Sequence, residues 1–196
     1  MKKTEKLLID ITFELLYKKG YCATSLTDVL DLANMTKGAM YYHFKSKSTL
    51  VLATIKDHLE HTLNEQWVKP LQESDKPIKT LIQQIKAYHS MFADKEHFLD
   101  IKHGSPLSNF VLDMSDKDEE LFDYLKSVHV KWQLSVEEAL TKAQANSQTQ
   151  TKFDSKSQAL FIISSIEGSI GSAKAYNDLK ILKNNFDSLN NYIKNL

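Results

Sequence analysis

Residues 37–47 read KGAMYYHFKSK, two adjacent tyrosines and a histidine set among lysines. On a helix that starts after Thr36, Met40 and Phe44 lie four apart and can share an inner face. Lys37, Tyr41 and Tyr42 then point outward. Exposed tyrosines beside ammonium groups are costly on an ordinary surface, but they suit phosphate oxygens and thymine methyl groups. Gly38 removes a side chain where such a helix would lie nearest to a duplex. The chemistry this pattern offers is therefore contact with DNA.

Other chemistries find little support. There is no glycine-rich phosphate loop, no CxxC pair, no HExxH, and no serine in a nucleophile-elbow context, so no enzyme and no cofactor is expected. His58 and His61, with Glu65 four residues on, share one helix face and offer metal-ligand spacing. Such patches are common on exposed helices, and no metal is expected. Cys22 is the single cysteine, so an intrachain disulfide is impossible. It reads as a small buried residue rather than a redox switch.

Several elements must position the motif. Leu8, Ile11, Thr12, Leu15 and Leu16 recur at helical spacing from about Thr4, with Lys18 and Lys19 on the last turn and Gly20 beyond. The run SLTD over 25–28 predicts a capping box that opens a short helix through Ala33. Asn34 and Met35 form a tight turn, Thr36 caps a helix over 37–43, and Ser46 caps one starting at Lys47. That last helix should reach Trp67 and Val68 before Pro70. Asp75 and Pro77 start the next, to about Ala93. Residues 94–104 are the least periodic, a loop or a short helix, and 106–114 form a short apolar helix. The run SDKD over 115–118 predicts a second capping box, opening a helix through Leu140. A polar loop over 145–155 precedes two final helices, 154–176 and 179–196. The expected fold is all-α, with about nine helices.

Composition agrees. Five glycines and three prolines are too few for the tight turns of a strand-rich fold. The 25 lysines balance 25 acids and there is no arginine, yet residues 1–50 hold eight lysines against five acids. A basic head on an acidic body suits a nucleic-acid contact at one end. The N-terminus lacks a signal peptide's apolar run. The best apolar stretch, 159–170, is interrupted by Ser164, Ser165, Glu167 and Gly168. A soluble, cytoplasmic protein without membrane contact is expected.

With Thr24 and Ser25 upstream, and behind an amphipathic helix ending at Gly20, the pattern KGxxYYHFxSK resembles the DNA-binding domain of TetR-family regulators, over about Thr4 to Leu52. The resemblance implies a helix-turn-helix domain over 1–46 and a helical ligand-binding and dimerisation domain over 47–196. It implies that Lys37 and Ala39 approach base edges, and that Ser25, Tyr41, Tyr42, His43 and Lys47 hold phosphates. Thr36 would cap the recognition helix and touch the backbone. In the body, GSPLSNF over 104–110, DMSDKDEE over 113–120, Trp132, Glu137, Ala143, Gln144 and IEG over 166–168 resemble one sub-branch. That branch commonly carries cysteine where Ser105 stands, so a thiol sensor is not expected there.

An effector cavity is expected among the middle helices, lined by Trp67, Tyr88, Phe92, Phe110 and Trp132, with His89, His103 and Glu167 as polar anchors. An apolar stripe of Ile162, Ile163, Ile166 and Ile170, a small-residue face including Ser169, and Phe186, Leu189 and Ile193 on the last helix are expected to form a homodimer interface. The whole reads as a repressor released from a palindromic DNA operator by a small amphipathic molecule. The alternative is a helical small-molecule or metal sensor that does not bind DNA. Arginine is the usual bidentate reader of guanine. With Lys37 as the cationic base reader, the operator should lean towards A·T and be read partly through shape and thymine methyls. Selection of bound duplexes from a random pool should return A·T-rich half-sites; G·C-rich half-sites would contradict this reading.

Overall fold

A computed structural model describes residues 3–196, and every regular element among them is helical. Nine helices are formed among the described residues: α1 (Lys3–Lys19), α2 (Leu26–Ala33), α3 (Lys37–His43), α4 (residues 47–73), α5 (Pro77–Ala93), α6 (Pro106–Met114), α7 (Glu119–Ala145), α8 (Ser155–Tyr176) and α9 (Leu179–Lys194). None of the helices is long and apolar enough to cross a membrane. The chain divides into two compact units, Met1–Thr62 with Pro106–Val128, and Leu63–Ser105 with His129–Leu196. The division falls inside α4 and inside α7.

In the first unit, local chemistry sets each helix boundary. Gly20 ends α1 at φ +84°, a left-handed conformation that glycine adopts without strain, and its N–H donates to the Leu16 carbonyl at 2.9 Å. A side chain there would also collide with Asp113 Oδ2, which accepts the next N–H, that of Tyr21. The α2 capping box forms as expected: Ser25 Oγ accepts the Asp28 N–H at 3.0 Å and Asp28 Oδ2 accepts the Ser25 N–H at 3.1 Å. Asn34 closes α2 at φ 51°. Ser46 and Thr49 form the same reciprocal box at the start of α4. Leu8, Ile9 and Leu15 of α1, Val29, Leu30 and Ala33 of α2, Met40 of α3 and Leu50 of α4 form one core, with Phe44 half-buried against it. Phe110 of α6 packs edge-on against Phe13, ring centres 6.2 Å apart.

The second unit pairs α8 with α9, and α9 with α5. Asp154 caps α8 through the Ser157 N–H at 2.8 Å, Asn177 ends it at φ 49°, and Asp178 caps α9. Trp67, Tyr88, Phe92 and Trp132 form a connected aromatic cluster, centroid to centroid 5.1 to 5.7 Å.

Four sequence expectations need correction. Helix α4 does not stop before Pro70. It passes through two π-helical turns, Ile55–Glu60 and Asn64–Val68, and the Lys69 N–H bonds five residues back to Asn64. Pro70 has no N–H and falls where that wider ladder reverts to α, so the missing donor interrupts a register that is already changing. Asp75 does not cap α5: Lys76 is the N-cap residue, and no side chain caps that end. The turn over 115–118 is not a capping box; Asp118 alone caps α7, accepting the Leu121 N–H at 3.2 Å. Residues 94–105, for which the sequence left a loop or a short helix open, form a loop. Cys22 is exposed, because it sits in the turn after Gly20 rather than on an inner helix face.

One charged cluster joins α1 to α4. His58 stacks on Phe13, ring centres 4.3 Å apart, and its Nε2 lies 2.8 Å from Asp10 Oδ1. Lys6 Nζ lies between Asp10 at 2.5 Å and Asp57 at 2.7 Å. Burial is the largest influence on His58 and holds its pKa below 6.5, against the pull of Asp10 and Asp57 and with the help of Lys6. The unfolded chain takes up a proton as pH falls below 6.5, and the folded protein resists it, so this contribution is intact above 6.5 and is lost on acidification. Burial lowers His89, His97 and His129 in the same direction. Urea midpoints should therefore drop between pH 7.5 and 5.5, and His58→Gln should reduce the drop. An equal drop in wild type and variant would contradict this account of His58.

Candidate nucleic-acid interface

The recognition candidate α3 is seven residues long and is fixed at both ends and on one side. Thr36 Oγ1 accepts the Ala39 N–H at 3.3 Å, and the Phe44 N–H closes the last turn on the Met40 carbonyl at 2.8 Å. The Met35 N–H donates to the Leu30 carbonyl at 3.0 Å, tightening the turn between α2 and α3. Met40 is fully buried, a gain of about 1.5–3 kcal/mol for a side chain of this size. With Met40 inward, a pitch of 3.6 residues per turn places Gly38 and Tyr42 on the far side of the helix.

The outward face is as the sequence implies. Lys37, Gly38 and Ala39 are exposed, Tyr41 is 50 % exposed and Tyr42 76 %. A Cβ on Gly38 would meet nothing closer than Thr36 Oγ1 at 3.9 Å, so packing within the chain does not require glycine there. Glycine costs a helix interior about 1 kcal/mol relative to alanine. What it leaves is a low, open surface beside the Tyr42 ring. Ser25 and Thr36 are exposed caps whose hydroxyl hydrogens remain able to reach an external acceptor.

Two expected phosphate contacts turn inward instead. His43 Nδ1 lies 3.2 Å from Glu5 Oε1 of α1, and its side chain is only 10 % exposed. Lys47 Nζ donates to the Tyr21 carbonyl at 2.6 Å and sits 4.0 Å over the Tyr21 ring; burial lowers its pKa. These two residues tie α3 and α4 to α1 and to the turn after it. Lys45, absent from the expected set, is an exposed cation just beyond α3. Its only signal in the sequence was a lysine between two caps.

The other expected sites are partly assembled. Trp67, Tyr88, Phe92 and Trp132 come together in the second unit, whereas Phe110 belongs to the first. Trp132 is 2 % exposed, and its Nε1 finds no hydrogen-bond partner among the described residues. Asn64 Oδ1, on the second π-helical turn of α4, is likewise buried without one. His89 and Glu167 are half-buried; the His103 carbonyl accepts from Lys174 Nζ at 3.0 Å. His58, His61 and Glu65 do not converge: His58 turns to Asp10, His61 is exposed, and Glu65 pairs with Lys69. Asp10, Asp57 and His58 place ligand atoms within 4.8 Å of one another, and the Lys6 ammonium is bonded to both carboxylates.

Ile162, Ile166, Ser169, Ile170, Phe186, Leu189 and Ile193 are all buried within the single chain. What remains exposed beside them is a groove of about 490 Å³ between α8 and α9, lined by Phe161, Ser165, Gly168, Ser172, Ser188 and Tyr192 among others.

Comparison with known proteins follows this geometry. Residues 8–54 match the family described as bacterial regulatory proteins, tetR family, and residues 77–187 match the LmrA/YxaF-like transcriptional regulator C-terminal domain. An uncharacterized HTH-type transcriptional regulator in the lacX 3' region of Lactococcus lactis is 31 % identical over 96 % of this chain and 92 % of its own length. The Staphylococcus aureus regulator QacR is 37 % identical over 62 residues, 32 % of each chain. Among solved structures, a TetR transcriptional regulator from Chloroflexus aurantiacus aligns at a TM-score of 0.84 with 22 % identity, covering 97 % of this chain and 94 % of that one. Reduced NemR from E. coli aligns at 0.81 with 18 % identity, over 97 % and 96 %.

Proposed function

We infer the function from one premise: the chain belongs to the TetR family and is a DNA-binding transcriptional regulator. We propose further that it acts as a repressor, released from a palindromic operator by a small amphipathic molecule. The observation that carries the DNA reading is the outward face of α3: Lys37, Ala39 and Tyr41 flank an open strip at Gly38 and Tyr42. In this proposal Lys37 and Ala39 reach base edges in the major groove, while Tyr41, Tyr42, Ser25 and Thr36 hold phosphates. His43 and Lys47 contribute mainly by holding α3 in place, and Lys45 joins the phosphate contacts.

Two observations support the remaining parts. A buried indole N–H without an acceptor is rare, and Trp132 offers one inside an aromatic cluster, which suits an aromatic or amphipathic effector bearing a hydrogen-bond acceptor. The groove between α8 and α9 is lined by small residues together with the Phe161 and Tyr192 rings, which suits helices of a second copy. Two heads about 34 Å apart would then enter successive major grooves. Effector binding would act through α4, whose π-helical turns offer alternative backbone registers. By linkage, the effector must bind free protein more tightly than operator-bound protein.

Lys37→Ala and Tyr42→Ala should each weaken operator affinity by about 1–3 kcal/mol, the scale of a good groove contact, with helical content unchanged by circular dichroism. Tyr42→Ala should weaken all duplexes alike, as a lost backbone contact does, whereas Lys37→Ala should also relax sequence preference. Unchanged affinity in both folded variants would reject the proposed face. A protein that shows no salt-dependent duplex binding at all would instead support the sensor that does not bind DNA.

A further inference from the structure

The second unit carries a basic groove that the regulator reading does not use. Its volume is about 600 Å³, within the range of small-molecule sites. Lys76, the N-cap residue of α5, and Ile78, Lys79, Ile82 and Lys86 from its first ten residues line one side, and Lys194 at the end of α9 lines another. No acid lines it. The four lysines are exposed and the two isoleucines are half-buried, so the lining combines ammonium groups with a small apolar surface. On a chain with 25 lysines balanced by 25 acids, four positive charges around one cavity are a local excess.

Two acids lie near it, each paired with a lysine outside the groove, although the Asp187 carboxylate also feels the charge of Lys86. Asp75 lies 3.3 Å from Lys142, and Asp187 lies 2.7 Å from Lys183. Gln148, on the loop side, is fixed by its bond to the Asp75 carbonyl at 2.8 Å. No side chain caps the first turn of α5, so the positive end of that helix adds to the same field.

We propose that this groove binds a small anionic amphiphile, a carboxylate or phosphate head on a short hydrocarbon chain. The head takes charge-assisted hydrogen bonds from the lysines, and the chain covers Ile78 and Ile82. Three separate segments wall the groove, which favours a molecule that enters it over a flat membrane surface. The two isoleucines favour an amphiphile over a bare anion. This site is separate from the aromatic cluster proposed for the effector and does not depend on it.

The test is methyl NMR of the full chain titrated with decanoate, decyl phosphate, decyltrimethylammonium, inorganic phosphate, and phosphatidylglycerol vesicles. Decanoate, decyl phosphate or both should shift the Ile78 and Ile82 methyl signals saturably, which also identifies the preferred head group, and the ammonium analogue should not. The double variant K79A/K86A should bind about tenfold more weakly, as expected for two lost exposed charge contacts. The proposal fails if neither anionic amphiphile moves those methyls, or if the cationic analogue binds equally well. It also fails if K79A/K86A binds as tightly as wild type, or if only vesicles or inorganic phosphate produce a response.

Discussion

The contact between Met40 and the head's core sets the orientation of everything that α3 presents. A helix of seven residues is far too short to persist alone in water, so its existence and its rotation come from packing. Met40 is buried against residues of α1, α2 and α4, and it fixes which side of α3 faces out. Gly38 and Tyr42 then stand opposite it. Thr36 satisfies the first turn, and Phe44 closes the last. A change at Met40 would therefore alter the proposed DNA-facing side, to which Met40 itself does not belong.

Around that contact, charged and polar side chains hold the helices in register. His43 to Glu5 and Lys47 to Tyr21 turn two residues of the motif into fastenings. Asp113, accepting the Tyr21 N–H, ties the same turn to α6, and Tyr124 donates to Glu60, tying α7 to α4. Because these bonds connect elements far apart in sequence, the head can be rigid while its individual helices are short.

The sequence made much of this readable, and its failures have physical causes. Helix starts at Ser25, Thr36, Ser46 and Asp154 were legible because a cap is a local hydrogen bond between residues three apart. The passage of α4 through Pro70 was not, since a π-helical turn leaves no periodic signature. The cap at Asp118 was placed three residues early because SDKD satisfies the same pattern as a true box. Outward residues on α3 were correctly read from a single inward anchor. The inward turn of His43 and Lys47 depends on Glu5 and Tyr21, distant partners that spacing cannot reveal. Likewise, the isoleucine stripe of α8 announced a buried face but not whether its own chain or another would cover it. All four isoleucines are covered by their own chain.

The central claim is that the exposed side of α3 lies against DNA, and chemical protection tests it most directly. Lysine acetylation, followed by mass spectrometry, should be compared for free protein and protein bound to its selected operator. Lys37 should lose most of its reactivity in the complex, whereas Lys47, already held by the Tyr21 carbonyl, should change little. Equal acetylation of Lys37 in both samples, with the duplex demonstrably bound, would contradict the account.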